Sequence, residues 1–212
     1  MRRTPAEAAH TRQELLDAAL DIFSASGYTA ARLETIAAQA NATRGAIYHH
    51  FGSKLGLYQA LLSQADDQRI ALIQEAIDEG GAAGEMLRAM MQHTLELLAA
   101  DARFRQITAL RLQQPDNAPE LAALAAAQRQ QTAQLVTEFA AFLQQAGMNQ
   151  DALPATTLAH AFLAYQDGVS HFWLRHADQF SLATEAAGLV DVFWHGMGSF
   201  FPANSHEDSS SG

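Results

Sequence analysis

The 212-residue sequence contains no cysteine, which removes disulfides and thiolate metal sites as sources of stability or chemistry and fits a cytoplasmic protein. It has no apolar run approaching the roughly 20 residues of a membrane span. Its first residues, MRRTPAEAAHTRQ, lack the apolar stretch of a secretory signal. No alternating pattern of consequence predicts a strand, and no internal repeat occurs. A phosphate-cradling glycine loop, a Gly-x-Ser-x-Gly elbow and a pair of Glu-x-x-His motifs are all missing. Asp167 and His171, four residues apart, form half a metal site and read instead as an ion pair or an interface hydrogen bond. These absences argue against an enzyme, and no cofactor is expected.

What the sequence does contain is helix. Hydrophobic residues make up 49%, ample for a core and incompatible with global disorder. Thr4-Pro5-Ala6-Glu7 has the form of a capping box opening a helix over about 6–26, with Leu16, Ala19, Leu20 and Phe23 on one stripe and Gly27 as its left-handed stop. Two short helices follow, at about 33–40 and 44–51. Asn41 takes the turn position that needs positive φ, and Thr43 caps the second. Ser53 caps a long helix over about 54–79. Gly80, Gly81 and Gly84 mark a hinge. Further helices are expected at about 84–100, 101–113, from the Asn117-Ala118-Pro119-Glu120 cap to Gln145, 152–177 and 182–201. Gln114-Pro115-Asp116-Asn117 reads as a loop, Gly147 as a stop, and residues 202–212, from Pro202, as a disordered tail. The predicted fold is all-α with about nine helices.

The formal charge of −10 is unevenly distributed. Residues 1–54 carry six Lys/Arg against five acids, whereas the remainder carries seven against eighteen. Four of the five early acids, Glu7, Glu14, Asp17 and Asp21, precede residues 33–54. This asymmetry suggests a head that faces an anion and a body that the anion repels.

Residues 33–54, LETIAAQANATRGAIYHHFGSK, are the centre of the reading. Ile36, Ala37, Ala40 and Ile47 fall on an inward face, leaving Thr43, Arg44, Tyr48, His49 and Lys54 outward. A helix-turn-helix requires this arrangement, because its second helix enters a DNA major groove. The segment ETIAAQANATRGAIYHHFGSKLGLYQALL resembles the DNA-binding head of the TetR family of transcriptional repressors, most specifically in Thr-Arg-Gly-Ala-Ile-Tyr-x-His-Phe-x-x-Lys. HTRQELLDAALDIFSASGY resembles that family's first helix, so the likeness covers roughly residues 10–62.

The resemblance implies a two-part homodimer whose larger body binds a small effector. By position it implies that Arg44 contacts bases or phosphates, with bidentate pairing to guanine as its strongest option. It places Thr43 on phosphate while capping its helix, Gly45 where backbone approaches the duplex, Tyr48 and His49 in the groove, and Lys54 on phosphate at the next helix start. His50 and Phe51 read as closing the small core of the head. Two positions depart from the family pattern. Asn41 stands where glycine is usual, and Arg32 stands where Ser or Thr normally caps the second helix. Arg32 is accordingly a candidate phosphate contact, with Thr29 or Glu34 as alternative local caps.

In the body, Leu158, Phe162, Tyr165, Val169 and Phe172 form one stripe, and Leu189, Phe193 and Phe200 form another. Gly168, Gly188, Gly196 and Gly198 interrupt these helices, which is easier to understand if another helix packs closely. The family resemblance places the dimer there, with Phe162, Gly168, Phe172, Leu189, Phe193, Gly196, Met197 and Phe200 as candidates. The alternative is an ordinary monomer core. GVSHFWLRHADQFSL resembles the AcrR-like branch, which implies a broad apolar effector pocket. Its candidate lining is Met86, Met90, His93, Phe104, Ile107, Phe139, Tyr165 and Trp173; any one of them reads more readily as plain core, and His93 and Tyr165 are the better polar contacts.

The sequence thus predicts a helix-turn-helix domain over 1–54, an effector-binding and dimerisation domain over 55–201 linked by the long helix, and a tail. The expected function is a ligand-responsive homodimeric repressor. It binds a pseudo-palindromic DNA operator and is released by a small lipophilic or aromatic effector. A helical sensor or scaffold without sequence-specific DNA binding is the alternative.

Overall fold

A computed structural model describes residues 4–79, 83–112, 119–145, 148 and 153–197. Among these described residues there are nine helices and no strand: α1 (Pro5–Ala30), α2 (Leu33–Gln39), α3 (Arg44–Phe51), α4 (Lys54–Glu79), α5 (Ala83–Ala100), α6 (Ala102–Leu112), α7 (Pro119–Gln145), α8 (Ala155–Arg175) and α9 (Leu182–Met197). The expected loop at 114–117, the Asn117 cap, Gly147, Gly198, Phe200, Phe201 and the segment from Pro202 lie outside the described residues. So does the hinge at 80–82, whereas Ala83 and Gly84 already belong to α5.

Local chemistry explains the early helix boundaries. Thr4 and Glu7 form the reciprocal capping box: the Glu7 amide donates to Thr4 Oγ1 at 3.2 Å, and the Thr4 amide donates to Glu7 Oε2 at 2.7 Å. Gly27 interrupts α1 where expected: it adopts φ 74° and ψ 169°, outside the helical region, and a further helical turn follows it through Ala30. The kink turns Tyr28 inward, where its ring lies 5.8 Å from Phe23 and 5.1 Å from Tyr58. Asn41 has φ 48° and is the one non-glycine residue with positive φ among those described. The Ser53 hydroxyl accepts from the Gly56 amide at 2.9 Å and starts α4.

The chain divides into two compact units. Unit 1 comprises Met1–Ala71 and Asp101–Ala127, and unit 2 comprises Leu72–Ala100 and Gln128–Gly212. In unit 1, α1 packs on α2 and α6, and α2 packs on α3. Leu15, Leu16, Leu20, Phe23, Ile36, Ile47, Leu57, Leu61, Phe104 and Ile107 fill its core. Polar contacts fasten α6 to α1 and α4. Arg103 pairs with Asp17 and donates to Gln64 at 2.8 Å, while Arg111 donates to Asp66 at 2.6 Å and to the Leu62 carbonyl at 2.7 Å. In unit 2, α5 packs on α9 and α8 around Leu87, Met91, Leu95, Leu158, Phe162 and Val190. No helix among the described residues is long and apolar enough to cross a membrane.

Candidate nucleic-acid interface

The helix-turn-helix is built from a short buried stripe. Leu33, Ile36 and Ala37 of α2, then Ala40, then Ile47 of α3 are all buried, which fixes α3 against α2 and leaves its opposite face to solvent. The turn is closed by the Ala42 amide donating to the Ala37 carbonyl at 2.8 Å. Thr43 caps α3, its Oγ1 accepting from the Ala46 amide at 3.2 Å. Arg32 precedes α2 in an extended conformation and makes no side-chain cap, so α2 begins with backbone hydrogen bonds to the Arg32 carbonyl. Arg32, Thr43, Arg44, Gly45, Tyr48 and His49 are all exposed, Tyr48 at 44% despite its large ring.

The exposed residues are not independent. Arg44 Nη1 lies 2.6 Å from Glu34 Oε1, and Nη2 donates to the Tyr48 hydroxyl at 2.9 Å. The guanidinium carbon sits 5.4 Å from the Tyr48 ring centroid. The Tyr48 hydrogen bond first, and the Glu34 charge second, hold the Arg44 proton above its ordinary range. Lys54 reaches back to α1: its Nζ donates to the Thr29 carbonyl at 3.2 Å and lies 4.6 Å from the Tyr28 ring centroid. The Tyr28 hydroxyl in turn donates to Glu120 at 2.8 Å, and burial, reinforced by that hydrogen bond, raises its pKa.

Two glycines of the head differ. A Cβ at Gly45 would meet only Thr43 Oγ1, at an ordinary 3.7 Å, so the fold does not demand glycine there. A Cβ at Gly56 would lie 2.0 Å from the Phe51 carbonyl oxygen, so the α3–α4 junction does demand it. Sequence reasoning missed Gly56 and Arg12, whose guanidinium lies 5.3 Å from the Phe51 ring, and it read Glu34 as an alternative cap of α2 rather than as the partner of Arg44. The available signals were a glycine just inside a capped helix start and a single acid within residues 33–54.

The candidate effector residues are divided between the units. Phe104 and Ile107 are fully buried in unit 1, whereas Met86, Met90, His93, Phe139, Tyr165 and Trp173 belong to unit 2. Phe139 packs 4.9 Å from Phe162, Trp173 is buried with Nε1 donating to the Phe180 carbonyl at 3.3 Å, and His93 Nδ1 is buried with no hydrogen-bond partner among the described residues. Tyr165 lines an open groove of about 660 Å³ between α8 and α9, together with Gly168, Phe172, Phe180 and Leu189. Its hydroxyl donates to the Leu189 carbonyl at 2.7 Å.

Among the dimer candidates, Phe162 is buried within unit 2 against Phe139 and Phe193. Phe193 also packs 4.8 Å from Tyr165. Phe172 is 57% exposed, and Val192, which sequence reasoning passed over, is 70% exposed. At Gly168, Gly188 and Gly196 an added Cβ would meet nothing within 4 Å among the described residues. Phe200 and the Met197 side chain lie outside the described residues.

Residues 15–61 match the family described as bacterial regulatory proteins, tetR family. The chain is 30% identical over 196 residues to the HTH-type transcriptional repressor BepR of Brucella suis biovar 1 (strain 1330), covering 91% of this chain and 94% of that protein. It is 32% identical over 199 residues to the HTH-type transcriptional regulator TtgR of Pseudomonas putida, covering 91% and 93%. Its fold matches SmeT, the repressor of a Stenotrophomonas maltophilia multidrug efflux pump, in complex with triclosan. That match has a TM-score of 0.75 and 23% identity, and covers 95% of this chain and 99% of that one. The chain therefore belongs to the TetR family of bacterial regulatory proteins and is a DNA-binding transcriptional regulator rather than an enzyme.

Proposed function

We propose that the protein is a cytoplasmic, homodimeric repressor that docks two copies of α3 into successive major grooves of a pseudo-palindromic operator. The observation that carries this reading is the solvent face of α3, where Arg44, Tyr48 and His49 stand clear of the buried α2–α3 stripe. In this reading Arg44 contacts base edges, Thr43, Tyr48, Lys54 and Arg32 contact the backbone, and Gly45 lets the backbone come close. The open glycine positions and the exposed Phe172 and Val192 support pairing of α8 and α9 with those of a second copy.

The effector is a small lipophilic or aromatic compound held in unit 2. SmeT is a repressor seen with triclosan, and the Met and aromatic side chains of unit 2 suit such a ligand. Binding favours a conformation in which α4 carries the heads out of register with the grooves. DNA affinity then falls by the effector's differential affinity for the two states.

Gel-shift titration over a salt series tests the reading. Arg44→Ala costs about 1–3 kcal/mol and relaxes base preference, while Lys54→Ala weakens binding on all sequences and lowers the salt slope by about one. Wild-type binding by both variants would remove the groove assignment.

A further inference from the structure

Residues 33–54 contain a single acidic side chain, Glu34, on a surface proposed to meet phosphate. A carboxylate there repels the duplex, so its placement calls for a reason. It lies on the Arg44 guanidinium, 2.6 Å from Nη1, while the Tyr48 hydroxyl holds Nη2 at 2.9 Å. Two helices therefore restrain one side chain: α2 through Glu34 and α3 through Tyr48. The buried Ile36 and Ile47 fix those helices against each other.

We propose that Glu34 is a positioning residue for DNA reading, holding the Arg44 guanidinium in the orientation it uses against a base edge. This inference rests on the function proposed above. A guanidinium has five N–H donors, and the two hydrogen bonds take one from each Nη. The Nε hydrogen and one hydrogen on each Nη remain, enough for bidentate pairing with guanine O6 and N7. Arg44 need not leave Glu34 to read a base. An arginine ordered before binding loses less rotamer freedom on the DNA, and the planar fork makes its orientation decisive.

Simple electrostatics predicts the opposite sign, since removing a negative charge near phosphate tightens binding to any sequence. Competition predicts the same, because an arginine freed from Glu34 becomes more available. The sign of the Glu34 effect therefore separates positioning from both.

The test uses the full chain. The wild type first selects its preferred duplex from a pool of random sequence. Affinities of wild type, Glu34→Gln and Glu34→Ala are then measured at fixed salt for the selected duplex and for an unrelated one. Positioning predicts that both variants bind the selected duplex roughly two- to tenfold more weakly. They relax preference at the same base pairs as Arg44→Ala and bind the unrelated duplex at least as tightly as wild type. In an Arg44→Ala background, Glu34→Gln no longer weakens binding. Thermal melting confirms that each variant is folded. If Glu34→Gln tightens the selected duplex or leaves it unchanged, the positioning role is overturned while DNA reading stands. If wild type enriches no motif, DNA reading fails and the inference falls with it.

Discussion

The head and the α8–α9 pair use glycine for opposite reasons. A glycine within a helix costs about 1 kcal/mol relative to alanine, so each one calls for a compensating contact. At Gly56 that contact lies inside the chain, because α4 starts directly against the last carbonyl of α3 and a Cβ would reach within 2.0 Å of it. At Gly168, Gly188 and Gly196 the space beside the backbone is open. Nothing among the described residues of the chain uses the room these glycines leave. The head is completed by its own contacts: the capped α3, the Gly56 junction and the aromatic cluster of Phe23, Tyr28 and Tyr58. The α8–α9 face leaves this room open among the described residues, and in the function proposed above a second copy fills it.

The largest break in this contrast is expected at Gly56. Gly56→Ala places a methyl group against backbone that cannot move without shifting α3, so a loss of at least about 3 kcal/mol is expected in denaturant unfolding. DNA binding disappears with it, because α3 is held by the same junction. A variant that is as stable as wild type and still binds DNA would contradict the α3–α4 geometry.

Gly188→Ala probes the other side of the comparison. With nothing near the added methyl group, helix propensity alone stabilises the isolated chain by about 0.5–1 kcal/mol. At a closely packed helix interface the same methyl group costs about 1–3 kcal/mol of association. Sedimentation across a concentration series should show a shift towards monomer. An unchanged dimer would remove Gly188 from the interface, and a wild type that is monomeric at micromolar concentration would remove the interface altogether.

The head was legible in the sequence to the extent that its signals are local. Thr43, Asn41 and the Ile36–Ile47 stripe lie within a few residues of what they control, and α3 follows its Thr43 cap over the expected 44–51, whereas the positive-φ Gly52 that ends it was not singled out. Gly27 was legible for the same local reason, since its positive φ interrupts α1 where predicted; the helical turn after it, which carries the buried Tyr28, was not. Longer-range pairings were not legible. The charges of Arg103 and Arg111 do not say which of many carboxylates they will meet, so the fastening of α6 to α1 and α4 was invisible. For the same reason the sequence left Phe104 and Ile107, apolar and suitably spaced, open to both pocket lining and core; both are buried in unit 1.

The mildest test lies at Asp101, where the chain enters unit 1 and where the head's reliance on its own contacts extends to α6. Asp101 Oδ1 accepts from the Phe104 amide at 2.9 Å, and Oδ2 accepts from Gln68 of α4 at 3.2 Å. The Phe104 hydrogen bond, supported by those from Gln68 and Arg103, outweighs burial and holds the carboxyl below its ordinary value of 3.8. A carboxylate with a lowered folded-state pKa stabilises the fold fully above its ordinary value, and the contribution is lost as pH falls through the lower folded value. Asp101→Ala therefore lowers stability by about 1 kcal/mol at neutral pH, the usual cost of losing a helix cap. Asp101→Asn keeps a capping oxygen but does not titrate, so its deficit relative to wild type is smaller and shrinks as pH drops below 3.8. Melting temperatures of the three proteins between neutral and acid pH measure this directly. A wild type to Asp101→Asn difference that grows on acidification would show that the carboxylate, in solution, is not the cap of α6.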